Sequence, residues 1–141
     1  MGRNTEENQN KKILVVEDES SYLKILKDQL VTNGFDVIEA IDGSKGLSLA
    51  KLEHPDLIIL DVRMPGMTGL AMLDELRKDA YGKHVKVIVL TNIEPDDSML
   101  RQVLQDLPTY YLMKIDTKLG ELIEKIQTLF LEDKKYAMIK A

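Results

Sequence analysis

Cysteine is absent from the 141 residues. That excludes disulfides and thiolate-bound metals, and a reducing compartment suits the chain. Long apolar runs are absent too: none exceeds a handful of residues, so no segment reads as a membrane-spanning helix. Positive charge is in deficit, with 19 Lys and Arg against 24 Asp and Glu and a net charge of −5. This argues against a broad nucleic-acid footprint and against direct DNA binding. Met1 to Asn10 is polar, lacks the apolar centre of a signal peptide, and reads as disordered. The expectation is a cytoplasmic domain of ordinary size, able to bury a core without staples.

What the chain does have is carboxylates at the ends of short apolar runs. Ile13-Leu14-Val15-Val16 stops at Glu17-Asp18-Glu19, and Leu57-Ile58-Ile59-Leu60 stops at Asp61. Such runs read as strands buried on both faces of a parallel sheet. In open α/β sheets the ligand crevice lies beyond the carboxyl ends of the strands. Two such strands side by side gather three or four carboxylates in one pocket. Their repulsion calls for a cation between them or a raised pKa. Oxygen ligands suit a hard cation, Mg²⁺ first and Mn²⁺ second.

From Lys12 onward, strand and helix patterns alternate. Helical stripes run from about Ser20 to Asn33, with Gly34 as the stop, and, after a turn at Asp42-Gly43, to about Glu53. Further stripes cover Gly69 to Lys78, a segment opened by Pro95, and about Thr117 to Leu131. Strand patterns cover Phe35–Ala40, Asp56–Leu60, Val85–Leu90 and Tyr110–Met113. Five βα units predict an α/β fold, a doubly wound parallel sheet with helices on both faces. The organisation expected is an extension over 1–11, one folded domain over 12–131, and a tail over 132–141 too short to be an output domain.

The strand ends line up Glu17 and Asp18, then Asp61, Thr91 and Lys114. Here the sequence resembles the receiver domain of two-component response regulators. VVEDE at 15–19, LDVRMPGMTG at 60–69, VLT at 89–91 and YYLMK at 110–114 carry the resemblance, which covers about Lys12 to Leu131. It implies a flavodoxin-like five-stranded sheet in the order 2-1-3-4-5. It also implies that Asp61 is the phosphoacceptor, a carboxylate that attacks phosphorus. Asp18, Asp61 and the backbone carbonyl of Arg63 would hold Mg²⁺, with Glu17 reaching it directly or through water. Lys114 and Thr91 would bind the phosphoryl oxygens, and Thr91 and Tyr111 would form the switch.

Simpler roles compete at each position. A strand-end Asp often caps a helix, Thr91 is a β-branched strand residue, and Lys114 has the makings of a solvated amine. Glu19 reads as a helix-start charge. Pro65, Gly66 and Gly69 read as turn residues. His54 and His84 fall in loops away from the pocket, and the methionines suit core filling better than metal binding.

Three positions depart from the family's pattern. Ile115 stands where a proline, often after a cis bond, usually follows the lysine. A cis bond without proline costs roughly 3 kcal/mol, so the sequence leaves open whether the Lys114–Ile115 bond is cis, or trans with an altered Lys114 geometry. Asn92 stands where a small residue is preferred. Leu107-Pro108-Thr109 replaces the common Gly-Ala lead-in to the fifth strand.

The resemblance implies a response regulator that accepts a phosphoryl group from a histidine kinase or phosphotransfer protein. It would be no enzyme beyond self-phosphorylation and autodephosphorylation. A downstream protein would read the face formed by helix four, strand five and helix five, with the chain a monomer or a phosphorylation-dependent dimer. The alternative is a receiver-fold interaction module that signals without phosphorylation. A phosphohydrolase ranks lower, since no second general acid follows Asp61 closely. A flavin-binding relative also ranks low, since the loop after the first strand is acidic where a flavin phosphate needs N–H donors.

Overall fold

In the computed structural model, which describes residues 11–140, the first apolar run forms β1 (Lys12–Val16). It is followed by α1 (Ser20–Thr32), β2 (Asp36–Ala40), α2 (Gly43–Glu53), β3 (Leu57–Leu60) and α3 (Gly69–Arg77). Then come β4 (Lys86–Thr91), α4 (Asp97–Asp106), β5 (Tyr110–Met113), a 3₁₀ turn over Lys114–Asp116, and α5 (Leu119–Lys140). All strand pairs are parallel, in the order β2-β1-β3-β4-β5. The extension expected over 1–11 lies outside the described residues except for Lys11. Among the described residues, no helix is long and apolar enough to cross a membrane.

The period of two along each strand builds two cores. Ile13, Val15, Leu57, Ile59, Ile88 and Leu90 face α1 and α5, against Leu26, Leu30, Leu122 and Ile126. Leu14, Val16, Ile58, Leu60, Val87 and Val89 face the other way, against Ala50, Met72, Leu73 and Leu76 of α2 and α3. Each such side chain contributes about 1.5–3 kcal/mol when fully buried. Because both faces are covered, the central strands carry no alternation of polar residues.

Element ends differ from the sequence reading in places. Pro95 does not open α4: Asp96 caps that helix, its side chain accepting from Met99 N at 2.9 Å, so Pro95 precedes the cap. The last helix starts at Leu119, because the 3₁₀ turn takes up the residues after β5. It runs to Lys140, so residues 132–140 of the expected tail are helical. An ion pair between Lys86 and Asp133 at 3.0 Å supports that extension. Gly34 ends α1 as expected, at φ 91°, and α2 ends on His54 in the left-handed region.

Candidate functional site

The parallel register sets the ends of β1, β3, β4 and β5 along one edge: Val16 pairs with Leu60, Leu60 with Val89, and Thr91 with Met113. Backbone bonds carry the alignment one step further. Glu17 N donates to Ala40 O at 3.0 Å, and Asp61 N donates to Val16 O at 3.1 Å. Glu17, Asp18, Asp61, Thr91 and Lys114 thus surround one cavity of about 310 Å³, with Arg63 and Asn92 at its rim. A larger cavity, about 480 Å³, lies at the opposite end of the sheet beside Arg77 and His84. It gathers no comparable set of reactive groups, so the smaller one is the candidate site.

At its centre, Lys114 Nζ lies 3.0 Å from Asp61 Oδ2 and 2.6 Å from Glu17 Oε1. Glu19 Oε1 is 3.7 Å away on the solvent side. Asp61 Oδ1 accepts from Arg63 N at 3.3 Å, which turns the loop after β3 back towards the carboxylate. Glu17 Oε2 accepts from Glu19 N at 3.1 Å. Glu17 and Asp61 are buried, whereas Asp18 is exposed. Burial pushes Glu17 above the usual carboxylate range, and its hydrogen bonds from Lys114 and Glu19 N offset this only in part. For Lys114, burial works against the ammonium, but hydrogen bonds to Glu17 and Asp61 outweigh it and hold the pKa above the usual lysine value.

Carboxylate oxygens of Glu17, Asp18 and Asp61 lie within 4.8 Å of one another. Three oxygen donors that close, two of them buried, fit a hard divalent cation. Asp18 makes no hydrogen bond or ion pair with the other described residues and has both oxygens available. Arg63 lines the same pocket.

Thr91 is fully buried, its Oγ1 accepting from Ile93 N at 3.3 Å. Tyr111, the second residue of β5, donates its hydroxyl to Ile93 O at 2.5 Å. Both expected switch residues therefore meet at Ile93, in the loop between β4 and α4. No cis peptide bond occurs among the described residues, so the Lys114–Ile115 bond is trans. Across this trans bond the Lys114 ammonium reaches both Glu17 and Asp61.

Two glycines of the loop after β3 separate in role. Gly66 has φ 73° with open space around it, a turn position that favours glycine. At Gly69 an added methyl would lie 2.0 Å from the Asp61 carbonyl oxygen, so this glycine permits a close approach under Asp61. The histidines lie away from the pocket as expected, with His54 stacked on Tyr81 at 4.3 Å.

Sequence reasoning missed Tyr22. Its ring lies 4.4 Å from Lys114 Nζ, a cation–π contact that roofs the ammonium. The one signal was its place in the first turn of α1, directly after the acidic run. Also unread was the bond joining two of the three departures: Ile115 N donates to Asn92 Oδ1 at 2.9 Å.

Comparison with known proteins matches residues 13–127 to the family model of the response regulator receiver domain. Among curated relatives, a probable transcriptional regulator ycf27 from Porphyridium aerugineum is 46% identical over 83 residues, 59% of this chain and 33% of the relative. The chain thus spans only about a third of the length of that regulator. Among solved structures, a CheY-like receiver domain protein from Methanospirillum hungatei JF-1 superposes with a TM-score of 0.79 at 28% identity, covering 89% of this chain and 98% of the other. The receiver domain of the sensor histidine kinase PA1611 from Pseudomonas aeruginosa PAO1, described with magnesium coordinated in its active-site cleft, gives 0.75 at 28% identity. It covers 85% of this chain and 97% of the other.

Proposed function

Because the chain belongs to the family of response regulator receiver domains, we propose that it is switched by phosphorylation of Asp61. The observation that carries this reading is the convergence of Asp61 with Glu17 and Asp18 within 4.8 Å, and with the Lys114 ammonium at 3.0 Å. An anionic carboxylate facing an anionic phosphoryl donor needs its surroundings to neutralise charge.

The donor is a phosphohistidine on a sensor kinase or phosphotransfer protein. An Asp61 carboxylate oxygen attacks phosphorus, the P–N bond breaks, and the imidazole leaves with a proton. Asp18, Asp61, the Arg63 carbonyl and Glu17, directly or through water, would hold Mg²⁺, with Mn²⁺ as a substitute. When bound, the cation neutralises charge on the phosphoryl oxygens. Lys114 exchanges its contact with the Asp61 carboxylate for one with the transferred group, and Thr91 turns its hydroxyl proton to a phosphoryl oxygen. Movement at Thr91 displaces Ile93 and with it Tyr111, which biases the surface of α4, β5 and α5. A downstream protein in the cytoplasm reads that surface. Catalysis is confined to the chain's own phosphorylation and dephosphorylation.

Signalling without phosphorylation gains no support from the site. Its one motive was a Lys114 displaced by the missing proline, and the lysine is in reach of Asp61. Beryllofluoride with Mg²⁺ tests the reading as a phosphoryl mimic. Amide shifts over residues 91–118 support it, and an unchanged spectrum at saturating reagent overturns it.

A further inference from the structure

The family's usual proline after the lysine fixes φ near −65° and has no N–H. Ile115 has neither property, so the turn from which Lys114 projects must be held by other means. Packing does not hold it, since Ile115 is 81% exposed. The backbone holds it weakly, because the 3₁₀ turn closes through one long bond, Thr117 N to Lys114 O at 3.4 Å. The short polar contact here is the one from Ile115 N to Asn92 Oδ1 at 2.9 Å. Thr91 and Met113 form the last rung between β4 and β5. The Asn92 side chain therefore adds a rung just past the end of the ladder. It links the residue after the hydroxyl to the residue after the amine.

We propose that Asn92 is a positioning residue for Lys114: its side-chain carbonyl, by holding the Ile115 N–H, sets the turn from which the ammonium reaches Glu17 and Asp61. The two departures from the family are then one compensated change. A backbone donor that proline would not carry is matched by an acceptor that a small residue would not carry. The relevance to phosphotransfer rests on the function proposed above, but the placement of Lys114 does not.

Two readouts test it in the full chain. The first is the chemical shift of the Lys114 Cε methylene at one neutral pH, which reports the contacts with Glu17 and Asp61 without any phosphoryl donor. The second is the rate of adduct formation with acetyl phosphate and Mg²⁺. Asn92→Ala and Asn92→Leu both remove the acceptor, and the leucine keeps the bulk. Both should move the Lys114 shift towards that of a solvated lysine and slow adduct formation about fivefold, the equivalent of one ordinary hydrogen bond. Ile115→Val keeps the N–H and should match the wild type. Ile115→Pro already lacks the bond, so adding Asn92→Ala to it should cost nothing further.

Asn92 is exposed, so its variants should fold, and thermal melts would verify this. An unchanged Lys114 shift in both Asn92 variants overturns the proposal, as does an undiminished cost of Asn92→Ala in the Ile115→Pro background. If the wild type forms no adduct, the phosphoacceptor reading fails instead, and the Lys114 shift alone decides the role of Asn92.

Discussion

Lys114 Nζ stands 3.0 Å from Asp61 Oδ2, although 53 residues separate them in the chain. The strand order explains the meeting: β4 lies between β3 and β5, and it ends at the buried Thr91. An ammonium, a carboxylate and a hydroxyl thus come from three adjacent strands at one level.

The pH dependence of stability should register this ion pair. The folded-state pKa of Lys114 lies above its ordinary value of 10.5. The stability it contributes is therefore fully present below pH 10.5 and is lost as pH rises through the higher folded value. Urea unfolding of the wild type and Lys114→Met, followed across that range, should show the gap between them narrowing. A gap that stays constant into strongly alkaline solution would contradict the pairing.

Mg²⁺ affinity should depend more on Asp18 than on Glu17. Both oxygens of Glu17 are engaged, by Lys114 and by Glu19 N, while those of Asp18 are not. Asp18→Ala should weaken Mg²⁺ about tenfold or more, and Glu17→Gln less. Calorimetric titration would measure this, and the reverse ranking would show that Glu17 is the principal ligand.

Gly69→Ala should damage the site from below. The new methyl would meet the Asp61 carbonyl oxygen at 2.0 Å and Leu60 Cδ1 at 2.6 Å. Asp61 N is tied to Val16 O, so the strand end cannot yield freely. A stability loss of about 1–3 kcal/mol from overpacking is expected, with slowed adduct formation at Asp61. Wild-type melting and kinetics in this variant would mean that the α3 start moves aside instead.

Arg77 should matter for stability and not for the site. Its guanidinium donates to the carbonyls of Gly82, Val85, Asp106 and Leu107, tying α3 to the turn between α4 and β5. Arg77→Leu should cost about 2 kcal/mol, since part of the lost bonding is replaced by water. Beryllofluoride binding should persist below the melting point. Loss of binding in the folded variant would reveal a coupling between the two ends of the sheet.

The strands and the carboxylates of the candidate site were legible because each uses a local signal. Ile13–Val16 and Leu57–Leu60 are unbroken apolar runs, and each is followed at once by a carboxylate. The three-dimensional partners carried no such signal. Tyr22 reads as one more residue of a helical stripe until α1 sets it over Lys114. Asn92 and Ile115 each read as a separate departure, because a bond from a side chain to a distant backbone leaves no periodic trace. Pro95 misplaced the start of α4, where the cap at Asp96 decides. The charged stretch Glu132–Lys135 hid the extent of α5, because these residues are exposed and the helix needs no apolar face there.

The role of Asp61 is tested most directly by intact mass after incubation with acetyl phosphate and Mg²⁺. The wild type should gain about 80 Da, the mass of one phosphoryl group replacing a proton. Asp61→Asn should gain nothing under the same conditions. An adduct of equal yield in Asp61→Asn, or none in the folded, Mg²⁺-binding wild type, would contradict the assignment.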